Sequence, residues 1–166
     1  MASHRNEVHA YDYVNHPYHE VRRVLLADPL GTLQRATRVA ASRAQSTVAE
    51  LRASVGGVEI AAAIELDLID TKLATAPDGR QATHFILGWK GVAHAALFPT
   101  MRAVLAVYAL TPTETQIDLT GTYEPPLGIL GEAVDAIAMH HVARDSVAGF
   151  IQAVAKFLRH ELRVAA

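Results

Sequence analysis

The chain predicts an α+β domain. A curved antiparallel sheet of roughly six or seven strands wraps around one long C-terminal helix, and two short helices follow the first strand. Three patterns carry that expectation. Five runs with period-two alternation lie between Thr47 and Tyr123, joined by short turns. Strands so connected pair antiparallel, because parallel neighbours would need crossover helices. After Pro125-Pro126 more than thirty residues pass without a proline, and their large apolar side chains recur at helical spacing. Between the first alternating run and the meander stand two helix-start signals, Asn15 with Pro17 and Asp28-Pro29.

Glu7 to Val14 sets His9, Tyr11 and Tyr13 against Val8, Ala10, Asp12 and Val14, the pattern of a strand. Asn15 is placed to cap a short helix whose buried side is Tyr18, Val21, Val24 and Leu25. The second helix, about Leu30 to Ala44, carries a thin stripe (Leu30, Leu33, Thr37, Ala40, Ala41) beside Arg35, Arg38 and Arg43. Those arginines are spread along a helix with no aromatics between them, which describes a solvated face rather than a nucleic-acid patch. Gly56-Gly57 and Pro77-Asp78-Gly79 are hairpin turns, and Thr111-Pro112-Thr113 a third reversal. One side of the strands collects Leu51, Ile60, Leu66, Met101, Leu105 and Leu119, while the strand from Gln81 to Gly91 is apolar on both sides, Phe85, Leu87 and Trp89 against Ile86, which suggests cover on both faces. Ala93 to Ala96 reads as a loop. Pro125 and Pro126 end the last strand, since neither donates a ladder hydrogen bond.

The long helix buries Leu130, Ile137, Val147, Ile151, Val154, Leu158 and Leu162 and wets Asp135, Asp145, Lys156, Arg159, His160 and Arg163. Advancing each position by about 100° puts His140 and Arg144 on the apolar stripe too, among alanines that leave space. That combination points to a cavity under the helix's N-terminal half. The alternative is that both side chains reach water at the helix edge or pair with carboxylates.

The chain has 166 residues, 51% hydrophobic and 19% charged, with formal net charge −2, enough apolar content for one substantial core. A charge so near zero argues against a dedicated nucleic-acid or anionic-membrane binder. There is no cysteine, so neither a disulfide framework nor thiolate chemistry is available. No apolar run reaches the roughly 20 residues of a membrane span, and no signal peptide is visible, so a soluble cytoplasmic protein is expected. His16-x-x-His19 has no third ligand at matching spacing, and His140 and His141 diverge on a helix, so no metal site is expected. No glycine-rich phosphate loop and no nucleophile elbow appear, and no cofactor is implied.

Leu97-Phe98-Pro99-Thr100-Met101, the elbow Leu119-Thr120-Gly121-Thr122-Tyr123-Glu124-Pro125-Pro126-Leu127-Gly128 and the helical His140-His141-Val142-Ala143 resemble the START-like (SRPBCC) superfamily. That group holds bacterial polyketide cyclases/dehydrases, lipid-transfer domains and the birch-pollen-allergen fold, and the match is nearest to bacterial members. The resemblance spans nearly the whole chain. It implies a single START-like domain over residues 1–166, with 1–6 a disordered tail, and a helix-grip fold enclosing a hydrophobic cavity. It does not imply an activity, because one cavity serves binding, transport and several chemistries across the superfamily.

The partner expected first is therefore a hydrophobic small molecule, lipid-like or polyketide-like. Its walls would be Leu51, Ile60, Leu66, Trp89, Met101, Leu105, Leu119, Tyr123, Ile137 and Ile151, with His140 and Arg144 as polar anchors. The second expectation is a cyclase- or dehydratase-type enzyme in which His140 moves a proton and Arg144 polarises a carbonyl, with Tyr123 or Tyr108 donating a further hydrogen bond. The third is an interaction protein whose interior is filled. No nucleic acid or stable membrane insertion is expected, and an exposed sheet edge offers a surface for a homodimer.

Overall fold

The computed structural model describes residues 6–37, 48–55, 58–91, 100–124 and 136–165. The element order is β1 (Glu7–Val14), α1 (Tyr18–Ala27), α2 (Pro29–Thr37), β2 (Val48–Val55), β3 (Val58–Thr75), β4 (Gln81–Gly91), β5 (Thr100–Thr111), β6 (Glu114–Glu124) and α3 (Ala136–Val164). These strands join one antiparallel sheet, in the order β1-β6-β5-β4-β3-β2. The meander runs from β2 to β6, and β1 adds to its last strand. Most of the expected N-terminal tail, the Gly56-Gly57 turn, the Ala93 to Ala96 loop, the Pro125-Pro126 elbow and the helix positions before Ala136 lie outside the described residues.

Alternation decides which way each strand faces. On β5 Met101, Ala103, Leu105 and Val107 are buried, and on β6 Ile117, Leu119 and Tyr123 join them. Val8 and Val14 do the same on β1. These side chains form one core with the buried stripe of α3 and with Val21, Leu25 and Leu33 from the short helices. At Pro77-Asp78-Gly79 the chain reverses with Gly79 at φ 84, a left-handed conformation that glycine adopts without a Cβ clash.

β3 departs from simple alternation. Its pairing with β4 shifts register between Leu68 and Asp70, inserting Ile69 as a bulge. Before the bulge Leu66 pairs with Trp89 and Leu68 with Leu87; after it Thr71 pairs with Phe85. Side chains directly opposite share a face, so the inward positions change from even to odd numbers. The extra residue also bends the strand, which helps curve the sheet around α3.

The start of α1 corrects an expectation. Asn15 does not cap it: Pro17 is the N-cap residue, and no side chain bonds the helix end. Pro17 sits at φ −57, and its carbonyl accepts from the Glu20 and Val21 amides at 3.0 and 3.2 Å. The ring pre-sets the entry to the helix, so the cap two residues earlier is not needed. α2 follows the expected rule, with the Asp28 carboxylate accepting from the Gly31 amide at 3.0 Å. The Arg35 guanidinium and that amide hold the Asp28 carboxyl below its usual range. α1 is tied to the sheet through Thr83, whose hydroxyl meets Tyr18 Oη at 2.7 Å and Arg22 Nε at 3.0 Å.

Candidate functional site

Under the N-terminal half of α3 the registers assemble one cross-strand row. Leu66 pairs with Trp89, Trp89 with Met101, and Met101 with Tyr123, so four neighbouring strands each place one large side chain on the same line. All four are buried. Phe150 of α3 comes down on the Trp89 end, with ring centroids 5.5 Å apart. At the Tyr123 end stands His140, its Nδ1 3.5 Å from the phenol oxygen, the outer limit of a hydrogen bond. Burial pushes the Tyr123 phenol up from its ordinary value, so it keeps its proton across the neutral range.

One row along, Gly121 makes space. A Cβ there would stand 2.8 Å from Met101 Sδ and 3.1 Å from Ala103 Cβ, closer than side chains pack. The missing side chain lets Met101 lie across β6 beside Tyr123.

Most of the wall named from the sequence lies together. Leu66, Trp89, Met101, Leu105, Leu119 and Tyr123 share the inner face, and Ile151 is buried opposite them on α3. Leu51 and Ile60 face each other's strands in the β2–β3 pair and Ile137 opens α3, but their side chains lie outside the described residues. His140 is half-buried at the helix edge.

Arg144 is a correction. Its side chain is 57% exposed, and its Nε lies 3.7 Å from Asp145 Oδ1. The buried face of α3 is not one straight stripe. It comprises Val142, Ala143, Ser146, Val147 and Phe150 at first, then Ile151, Val154, Ala155, Leu158 and Leu162. At about 100° per residue that face swings by roughly 100° between the two halves. A twisted sheet presents a rotating surface to a long helix, which accounts for the swing. Arg144 aligns with the second patch and lies roughly 130° from the first, the one at its own level.

Val142, Ser146, Phe150 and Ala155 of this face were not on the stripe read from the sequence. Phe150 is large, apolar and helically spaced from Val147 and Val154, so its signal was present. Ser146 was hidden by its polar label: its hydroxyl donates to the Val142 carbonyl at 2.7 Å, which lets it be buried.

The histidine groupings are engaged otherwise. His16 Nδ1 meets Glu20 Oε2 at 3.1 Å, and His141 is exposed. Among the described residues no three histidine or acidic side chains converge as metal ligands, and no helix is long and apolar enough to cross a membrane.

No family model matches the chain, and no curated protein matches its sequence. Solved structures do match in three dimensions. A conserved protein from Geobacillus kaustophilus superposes with a TM-score of 0.56 at 15% identity, over 96% of its own length and 93% of this chain. A protein from Thermus thermophilus gives 0.51 at 19% identity, over 99% of that chain and 96% of this one. The Zhui aromatase/cyclase from Streptomyces sp. R1128 gives 0.51 at 20% identity, over 97% and 96% respectively. At such identities the likeness is one of fold.

Proposed function

We propose that this chain, which has the START-like helix-grip fold, holds a hydrophobic small molecule of lipid-like or polyketide-like class between the inner face of its sheet and α3. The observation that carries the reading is the row Leu66–Trp89–Met101–Tyr123, an apolar wall that ends at a polar pair, Tyr123 with His140. Ligand sites of this kind combine broad apolar walls with a few polar groups that orient the guest. Leu105, Leu119 and Ile151 extend the wall, with Leu51, Ile60 and Ile137 as its further members. The Tyr123 phenol, kept protonated by burial, donates to a carbonyl or hydroxyl oxygen of the ligand. Arg144 takes no part in anchoring.

Native mass spectrometry of the protein purified from its own host tests this. An adduct of lipid-like mass supports the reading. A bare mass, with no change in Trp89 emission on titration with oleate and with anilinonaphthalene sulfonate, overturns it in favour of a filled interior.

A cyclase- or dehydratase-type reaction is the second reading, favoured by the same polar pair. A protonated phenol steadies a carbonyl oxygen as charge builds on it, while the imidazole takes up a proton, a contribution of about 10²–10⁴-fold to such steps. One of the similar folds is an aromatase/cyclase. Unchanged turnover of hydrophobic ketides by His140→Ala would end this reading without touching the first.

A further inference from the structure

The outer face of the sheet, turned away from α3, carries a dish of about 510 Å³, within the usual range of small-molecule sites. Its centre is built by register. His84 pairs with Ala106 and Ala106 with Asp118, so an imidazole and a carboxylate flank a methyl group in one cross-strand row. Neighbouring strands lie about 4.8 Å apart, which separates the two polar side chains by about 10 Å at their backbones. Val104 and Tyr108 stand two residues either side of Ala106 on the same face. The result is a small apolar floor with four larger walls, and His9 closes the Asp118 corner.

Asp118 is held in place. Its Oδ1 lies 2.7 Å from His9 Nε2, and its Oδ2 accepts from Gln116 Nε2 at 3.3 Å. A carboxylate offers about four acceptor directions, so two such contacts leave capacity for a ligand. The charges around the dish are graded. Burial, reinforced by Lys72 beyond the rim, holds His84 below its ordinary range and hence uncharged at neutral pH. On the central strand, one row along, burial and the Asp118 and Asp78 carboxylates push the Tyr108 phenol up. The field that resists a negative charge on Tyr108 attracts a positive one over its ring.

The geometry points to a binding site for a small organic cation: a primary ammonium on Asp118 and the Tyr108 ring, with a short aliphatic or aromatic body over Ala106 and Val104. This site lies on the face opposite the proposed hydrophobic ligand and does not depend on it.

Titration of the protein with 2-phenylethylammonium, followed by amide NMR shifts, tests the inference, with benzoate as the anionic control. Saturable shifts are expected at Val104–Tyr108 and Asp118, with none from benzoate at equal concentration. Asp118→Asn keeps the shape of the side chain and is expected to weaken binding roughly tenfold or more. Ala106→Leu fills the floor and is expected to abolish it. Trp89 emission, read from the other face, reports that each variant is folded. If Ala106→Leu does not fold, Asp118→Asn decides alone. Non-saturable shifts, equal shifts from benzoate, or native affinity in Asp118→Asn would each overturn the site.

Discussion

Arg159 grips Asp12 across 147 positions of sequence, its Nη2 2.8 Å from Oδ1. Its Nε also donates to the Tyr13 carbonyl at 2.9 Å. One planar fork therefore joins the last helix to β1, the end strand of the sheet. The pair is only partly exposed, at 35% and 23% for the two side chains, and two of the guanidinium's bonds, from Nε and Nη2, end on the Tyr13 backbone oxygen. We expect Arg159→Ala to lower unfolding free energy by about 1–3 kcal/mol, with Arg159→Lys restoring only part. Urea denaturation measures this, and an unchanged midpoint in the alanine variant would refute the clamp.

Phe150 of α3 packs its ring against the chain's single tryptophan. Truncating a buried aromatic removes its transfer energy and leaves a cavity, together about 3–5 kcal/mol. Phe150→Ala is expected to destabilise by that amount and to shift Trp89 emission to the red in the remaining folded protein. A destabilised variant with native emission would place the loss elsewhere than on the Trp89 contact.

Gly121 is needed for space, since its φ is unremarkable and its neighbours are not. Gly121→Ala brings a methyl against Met101 Sδ, which can swing aside, and within 3.2 Å of the Arg102 carbonyl oxygen, which cannot. We expect a loss of about 1–3 kcal/mol by overpacking. Thermal unfolding of Gly121→Ala with and without Met101→Ala separates the two contacts. Full recovery in the double variant assigns the cost to the thioether, and no recovery assigns it to the backbone.

His84 links stability to pH. Burial first, then Lys72, lowers its folded-state value below the ordinary histidine value of 6.5. The unfolded chain therefore binds the proton more readily. The contribution to stability is present above about pH 6.5 and is lost as pH falls through the folded value. Denaturant midpoints at pH 7.5 and pH 5 should differ less for His84→Gln than for the native chain. An identical acid-side slope in the two proteins would show that other groups carry it.

The alternation of β5 and β6 was legible because a period of two leaves only two ways to face, and Leu105 and Leu119 settle which one. β4, with Ile86 apolar on the side opposite Phe85, Leu87 and Trp89, left its facing to the structure, which buries the odd-numbered three. That Trp89 and Met101 stand opposite one another, with Leu66 and Tyr123 in the same line, needed the register. Register depends on where each hairpin closes and on the bulge at Ile69, and a strand's own residues do not specify how far its neighbour has slid.

For α3 the sequence by itself determined that the helix is amphipathic, because apolar spacing near 3.6 residues is local information. Which side faces the core at each level was decided by tertiary structure. The twisted sheet turns the buried face between Phe150 and Ile151, so a wheel drawn with one fixed axis carried Arg144 inward when it stands in water. The same distinction separates His140, whose place beside Tyr123 is set by packing between α3 and β6, from the strand residues whose inward direction their own alternation dictates.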